Sequence, residues 1–169
     1  KNHVLRDMAE ALTSETSFIL KANKKDVGTA LKKKLKPAFV DRLTLNEERV
    51  SEMAQSLLSI AALDDPLDQV IKTWSRPNGL LISKVRVPIG VILIIYEARP
   101  NVTSDSVGLC FKSGNAVILR GGSDALHSNK AVFSVLEAVV KKHRLPSGVI
   151  HLLKLTDRKA VDILLGFDR

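Results

Sequence analysis

An uninterrupted apolar run, Val91-Ile92-Leu93-Ile94-Ile95, constrains the fold of this chain more than any other feature. Most of its residues branch at Cβ, which favours extended backbone. Its lack of polar alternation predicts a strand covered on both faces, as in parallel sheets. Helical spacing follows from about Val102 to Lys112 and stops at Ser113-Gly114, where glycine suits a left-handed C-terminal cap. A second apolar strand, Ala116 to Leu119, comes at once. Arg120-Gly121-Gly122-Ser123 then separates it from a long helix, roughly His127 to His143, with Ala131, Val132, Val135, Leu136, Val139 and Val140 on its buried side. Pro146-Ser147-Gly148 breaks this helix, Val149 to Leu155 reads as a third strand, and Asp157 to Leu165 reads as the next helix, capped by Thr156 or Asp157. Strand and helix alternating in this way predict an α/β fold built on a doubly wound parallel sheet.

The first third has a different period. Val4, Leu5, Met8 and Leu12, then Phe18, Ile19 and Ala22, then Val50, Met53, Ala54, Leu57, Leu58 and Ala61 fall at helical spacing, so residues 1–66 predict a helical layer. Asn46 is placed to cap a helix, with Glu47 and Glu48 in the first turn where the macrodipole favours carboxylates, and Asp64-Asp65-Pro66 closes the segment. Residues 67–88 form a connecting region. Its turn signal is Arg76-Pro77-Asn78-Gly79, its strand is marked by Leu81, Ser83, Val85 and Val87, and Pro88-Ile89-Gly90 makes a second turn. Residues 89–169 are the parallel-sheet part.

Composition narrows the function. With 169 residues, 45% hydrophobic and 26% charged, the chain has enough apolar material for an ordinary core. Its longest apolar run, Pro88 to Tyr96, falls far short of the roughly 20 residues a membrane helix needs, and no export signal opens the sequence. The sequence therefore reads as soluble and cytoplasmic. Cys110 is the only cysteine, so disulfides within the chain and cysteine-pair metal sites are excluded and no metal is expected. A net charge of +8 suits phosphate-bearing ligands. Nucleic acid is not expected, because the excess lies in Lys24, Lys25, Lys32, Lys33, Lys34 and Lys36 while aromatics make up only 4% of the chain. Those lysines read as a solvated helix face.

In an open parallel sheet, ligands bind at the carboxyl ends of the strands. Two loops there have suitable chemistry. Tyr96-Glu97-Ala98-Arg99-Pro100-Asn101 sets a carboxylate, a guanidinium and an amide after the most apolar strand. Arg120-Gly121-Gly122-Ser123-Asp124 combines paired glycines, which permit close backbone approach, with a forked phosphate donor. The competing reading is a solvated ion pair in the first loop and a plain tight turn in the second. The three-glycine dinucleotide fingerprint is absent. Cys110 lies on an apolar helical face and reads as structural. His127 fits a helix start as well as a ligand contact, and Trp74 fits packing.

The stretch VPIGVILIIYEARPNVTSDSVGLCFKSGNAVILRGGSDALHSN closely resembles the signature region of the γ-glutamyl phosphate reductases, a family of the aldehyde dehydrogenase superfamily. ILKANKKDV, AFVDRLTLNEERVSEMAQSL and LPSGVIHLL extend the resemblance over essentially the whole chain. The resemblance implies an aldehyde-dehydrogenase-like fold, with an N-terminal helical layer followed by a Rossmann-like sheet. It implies NADPH-dependent reduction of L-glutamate 5-phosphate to L-glutamate 5-semialdehyde with release of phosphate, a step of proline biosynthesis. A homo-oligomer is implied too, either free-standing or as half of a bifunctional pyrroline-carboxylate synthase. Arg120 matches the basic residue that contacts the adenosine ribose, with Gly121, Gly122 and Ser123 lining the same end. Serine at 123, where NAD-preferring relatives commonly carry glutamate, implies NADP(H). Glu97, Arg99 and Pro100 are assigned to the cofactor or substrate crevice, and Asn101 resembles a loop asparagine that donates to a developing oxyanion. The catalytic cysteine is expected beyond Phe167-Asp168-Arg169, so these residues alone should be inactive. Another aldehyde dehydrogenase relative and a non-catalytic nucleotide-binding or assembly module are the alternative readings.

Overall fold

Helix α1 (Asn2–Ser14) steps Val4, Leu5, Met8 and Leu12 by one, three and four residues, which puts them on one face, and all are buried. The computed structural model describes residues 1–155 and 159–166. Helix α2 (Thr16–Lys32) follows, then the short α3 (Pro37–Leu43), opened by a proline at its first position, and α4 (Glu47–Ala62). Asn46 caps α4 as its sequence suggests, its side chain accepting from the Arg49 backbone N–H at 2.7 Å. Val50, Met53, Ala54, Leu57 and Ile60 bury the face of α4 that lies along α1. Leu5, Leu12, Val50 and Leu57 are fully buried, and each stabilises the fold by roughly 1.5–3 kcal/mol. Phe18 and Leu58, which fall at the same helical spacing, stay 49% and 39% exposed. Each is one residue, about 100° of helical rotation, from a buried neighbour, and so sits at the rim of the apolar stripe. The lysines of α2 and of the turn after it are exposed, as a solvated face requires.

After α4 the chain forms an antiparallel hairpin of β1 (Val70–Ser75) and β2 (Leu81–Val85), with Trp74 opposite Ile82 and Ser75 opposite Leu81. The turn and β2 are legible in the sequence, although the strand ends at Val85 rather than Val87. Strand β1 is not legible. Every residue of β1 is exposed, so no apolar alternation marks it. Its partner supplies the order, including a Thr73–Ser83 hydroxyl pair at 3.0 Å.

Strands β3 (Val91–Ile95), β4 (Ala116–Arg120) and β5 (Ile150–Leu152) form a parallel sheet in that order. Helix α5 (Asn101–Lys112) connects β3 to β4. A 3-10 turn (Ser123–Ala125) and helix α6 (Leu126–Lys142) connect β4 to β5. Ile92, Ile94, Val117, Leu119, Ile150 and Leu152 meet the helices in one core. The expectation that β3 is covered on both faces does not hold among the described residues, since Val91 is 65% and Ile95 43% exposed. Among the described residues the helices pack against one face of β3, the Ile92 and Ile94 row, and leave Val91 and Ile95 on the other face open. Strand β5 is shorter than the span from Val149 to Leu155, its ladder closing with Leu153 N–H to Leu119 C=O at 2.8 Å. Helix α7 (Lys159–Leu165) comes last, and its expected cap, Thr156 or Asp157, lies outside the described residues.

Two junctions hold the sheet in register with the helical layer. Gly114 ends α5 at φ +73°, with Gly114 N–H donating to Phe111 C=O at 3.1 Å and Asn115 N–H to Cys110 C=O at 2.8 Å. This paired pattern is a left-handed glycine cap. The buried Asn115 side chain then accepts from Gly90 N–H at 2.9 Å, aligning the starts of β3 and β4. Buried Lys112 donates to Ala61 C=O at 3.1 Å, placing a cation at the C-terminus of α4.

Candidate cofactor site

The two loops singled out from the sequence emerge side by side, because β3 and β4 are parallel neighbours with Ile95 opposite Arg120. Tyr96 N–H donates to Arg120 C=O at 3.1 Å, extending the ladder one residue into the loops. A β-carbon on Gly122 would lie 3.4 Å from the Glu97 backbone, so the glycine turn rests on the first loop. Gly121 meets a tighter restriction, since a β-carbon there would overlap Asn129 Nδ2 and approach Tyr96 Cζ to 3.2 Å. The absence of a side chain at 121 is thus explained first by packing, and the turn lies flat over Asn129.

Beneath the turn, a polar chain links the starts of α5 and α6. The Tyr96 hydroxyl pairs with Thr103 Oγ1 at 2.7 Å, and Thr103 Oγ1 reaches Asn129 Oδ1 at 3.3 Å. Asn129 Nδ2 is buried with no hydrogen-bond partner among the described residues. Burial raises the Tyr96 phenol above its ordinary pKa, while the hydrogen bond with Thr103 opposes that rise.

Helix α2 supplies parts of the site that sequence reasoning missed. Asp26, buried on α2, accepts from the backbone N–H groups of His127 at 3.2 Å and Ser128 at 2.7 Å, and from Ser128 Oγ at 2.7 Å. It therefore caps the N-terminus of α6 from a distant helix, in a role usually filled by the residue before the helix. Asn23, one turn earlier, donates to Leu43 C=O at 2.8 Å and to Ser128 Oγ at 3.0 Å, and accepts from Leu45 N–H at 2.8 Å. At the end of α2, Lys33 pairs with Asp124 at 2.9 Å and ties that helix to the residue that follows the glycine turn. The signal for Asn23 and Asp26 was present in the sequence, since both continue the buried spacing of Ile19 and Ala30. With its first amides held by Asp26, α6 offers little to an anion, which places the chemistry of this loop on side chains and on the turn.

The proposed residues divide between two places. Arg120, Gly121 and Gly122 are consecutive at the end of β4, with Gly121 over Asn129 and Tyr96, Gly122 against the Glu97 backbone, and Ser123 exposed at the rim. Pro100 is buried at the start of α5. Arg99 and Asn101 instead line a groove of about 450 Å³ with Arg42, Arg49 and Asp105. There the Asn101 amide donates to Asp105 at 3.2 Å, and Ser56 donates to the same carboxylate at 2.9 Å. Arg99 also borders a second recess of about 310 Å³, shared with Tyr96 and Glu97, so it connects the two regions. His127 is exposed, and its backbone serves the start of α6. Cys110 is buried in the core, which raises its thiol pKa and fits a structural residue. Among the described residues, no helix is long and apolar enough to cross a membrane.

No family model matches the chain. Similarity to individual proteins is extensive. The chain is 54% identical over 165 residues to a gamma-glutamyl phosphate reductase of Thermoanaerobacter sp. (strain X514) and 50% identical over 165 residues to that of Clostridium novyi (strain NT). In each case it covers 98% of this chain and 40% of the relative. The crystal structure of gamma-glutamyl phosphate reductase from Thermotoga maritima superposes with a TM-score of 0.95 at 43% identity, covering 98% of this chain and 40% of that one. The Saccharomyces cerevisiae enzyme gives a TM-score of 0.88 at 28% identity, covering 94% of this chain and 41% of that one. A probable aldehyde dehydrogenase from Listeria monocytogenes shares the fold, with a TM-score of 0.67 at 14% identity over 99% of this chain and 34% of that one. Along nearly its whole length this chain is thus homologous to γ-glutamyl phosphate reductases, and it spans about 40% of the length of those curated relatives.

Proposed function

We propose that this chain forms the part of a γ-glutamyl phosphate reductase that holds the adenosine end of NADP(H), in an enzyme that reduces L-glutamate 5-phosphate to L-glutamate 5-semialdehyde and releases phosphate. The observation that carries this reading is the Arg120-Gly121-Gly122-Ser123 turn at the end of the central strand, with no carboxylate at position 123 and with the neighbouring Asp124 carboxylate paired to Lys33. A 2′-phosphate is a dianion at neutral pH, and guanidinium and hydroxyl groups on one turn suit it. Arg120 would take the ribose phosphate, Ser123 would leave room for it, and Gly121 and Gly122 would let the adenosine lie on the backbone. Glu97 and Arg99 would border the crevice toward the substrate, with Pro100 buried behind them, and Asn101 would lie in the adjoining groove that Arg99 also lines. Bound NADPH supplies the hydride.

The acyl-transfer step needs an accessible thiolate. The sole cysteine of the sequence is buried and its thiol pKa is raised, so Cys110 does not suit that role, and the nucleophile would come from the part of the enzyme that these 169 residues do not span. The enzyme would act in the cytoplasm as a homo-oligomer, and the exposed Ile71, Leu81 and Val85 on the hairpin support association. The test is an assay of the enzyme at the full length of its relatives, for oxidation of glutamate 5-semialdehyde that requires both NADP⁺ and phosphate. Turnover with that requirement supports the proposal. Equal turnover of unrelated aldehydes, with none of glutamate 5-semialdehyde, overturns it. The 169 residues alone are expected to give no turnover.

A further inference from the structure

On the far side of the helical layer, the start of α1 meets the end of α6 and gathers His3, Asp7 and His143. One ligand atom from each lies within 4.8 Å of the others. His3 and Asp7 share a face of α1 by their four-residue spacing, with His3 Nδ1 at 3.9 Å from Asp7 Oδ1. His143, which ends α6, places Nε2 at 2.9 Å from Asp7 Oδ2. The two imidazoles meet edge to face with centroids 5.3 Å apart. Lys142 Nζ also contacts Asp7 Oδ2, at 3.2 Å.

An ion pair between Asp7 and the end of α6 accounts for His143 and Lys142, whereas His3 brings a second imidazole to the same carboxylate. That side chain is 79% exposed and has no core to fill, yet it sits beside the other two. We propose that His3, Asp7 and His143 form a three-ligand site for a Zn²⁺-class divalent cation that clips the start of α1 to the end of α6, with water in the fourth position. Two imidazole nitrogens and one carboxylate suit zinc and its borderline neighbours, whereas calcium and magnesium prefer all-oxygen shells. Ligands about 2.0–2.1 Å from a tetrahedral zinc are themselves about 3.4 Å apart, so a small rotation of the exposed His3 side chain closes the set. The Lys142 ammonium, on a side chain 73% exposed, would turn into solvent as the cation takes its place. Asp7 and Lys142 stand at the rim of a groove of about 520 Å³ between α1 and α6, which gives water and ions access to the carboxylate. The site does not depend on the cofactor reading.

Calorimetric titration of the protein with Zn²⁺ tests this directly. The expected result is saturable one-to-one binding, a Tm that rises with zinc, and visible absorption bands when Co²⁺ is used instead. His3→Ala and His143→Gln should each weaken binding at least about ten-fold. His3→Ala lies on the surface and should leave circular dichroism unchanged, so it remains informative if the second variant does not fold. NMR separates the four histidines of the sequence, and zinc should shift the rings of His3 and His143 while sparing His127 and His151. Three results would overturn the site: no saturable binding below millimolar zinc, affinity unchanged in His3→Ala or in folded His143→Gln, or shifts centred on His127 or His151.

Discussion

Gly121 and Asn129 compete for one space, since a β-carbon on Gly121 would overlap the Asn129 side-chain amide. Gly121→Ala should therefore destabilise the protein by about 1–3 kcal/mol, read from urea unfolding. The same substitution in an Asn129→Ala background should cost less, because the obstructing amide is gone. An equal cost in both backgrounds would show that the two residues do not meet.

Asp26 reaches across from α2 to hold the first amides of α6, so its loss leaves several donors without an acceptor. Asp26→Ala should lower stability by about 2–3 kcal/mol at an unchanged m-value. Asp26→Asn should lower it less, because one amide oxygen still accepts. A change within measurement error in both variants would contradict the capping role.

Tyr96, the only tyrosine, gives an optical probe beneath the glycine turn. Its phenol is raised above the ordinary value by burial, with the Thr103 hydrogen bond pulling the other way. In an alkaline titration followed by near-ultraviolet absorbance, tyrosinate should form above the usual value of about 10 in the folded protein. Thr103→Val should push it higher still. Because the folded value exceeds the unfolded one, the stability held by this group is complete below the unfolded value and is lost as pH rises through the folded value. Tyrosinate formation at the ordinary pH would show that the ring is solvated.

Cys110 lies in the core with its thiol pKa raised by burial, so little thiolate is present near neutral pH. Iodoacetamide should label it far more slowly in the native protein than in denaturant. In the full-length enzyme, Cys110→Ala should preserve turnover. Rapid native labelling together with loss of activity on substitution would reassign it as a reactive residue.

Most of the architecture could be read from period and punctuation. The Val91–Ile95 run, the Gly114 cap and the Asn46 cap stand where their residue types imply, because each is a local choice of backbone geometry. Strand β1 was hidden, since its residues are exposed and only pairing with β2 extends them. Asn23 and Asp26 were passed over for a related reason. Their partners are Leu43, Leu45 and the start of α6, contacts set by tertiary packing that no short window contains. The two candidate loops were legible as neighbours because parallel strands joined by helices deliver their carboxyl ends to one edge. What their side chains face was not legible, and Arg99 and Asn101 open onto a groove beside α3 and α4 that sequence spacing does not disclose.

The proposed adenosine site rests most directly on how Arg120 and Ser123 discriminate between two cofactors that differ by one phosphate. In the full-length enzyme, Arg120→Ala and Ser123→Glu should each weaken NADPH at least about ten-fold more than NADH, the first by removing a phosphate donor and the second by adding a repelling carboxylate. Titration of each variant with both nucleotides, followed by nucleotide fluorescence, supplies the comparison. A selective loss of NADPH affinity in both variants is the predicted result, and an equal effect on NADPH and NADH, or none on either, would contradict the assignment of this turn to the 2′-phosphate.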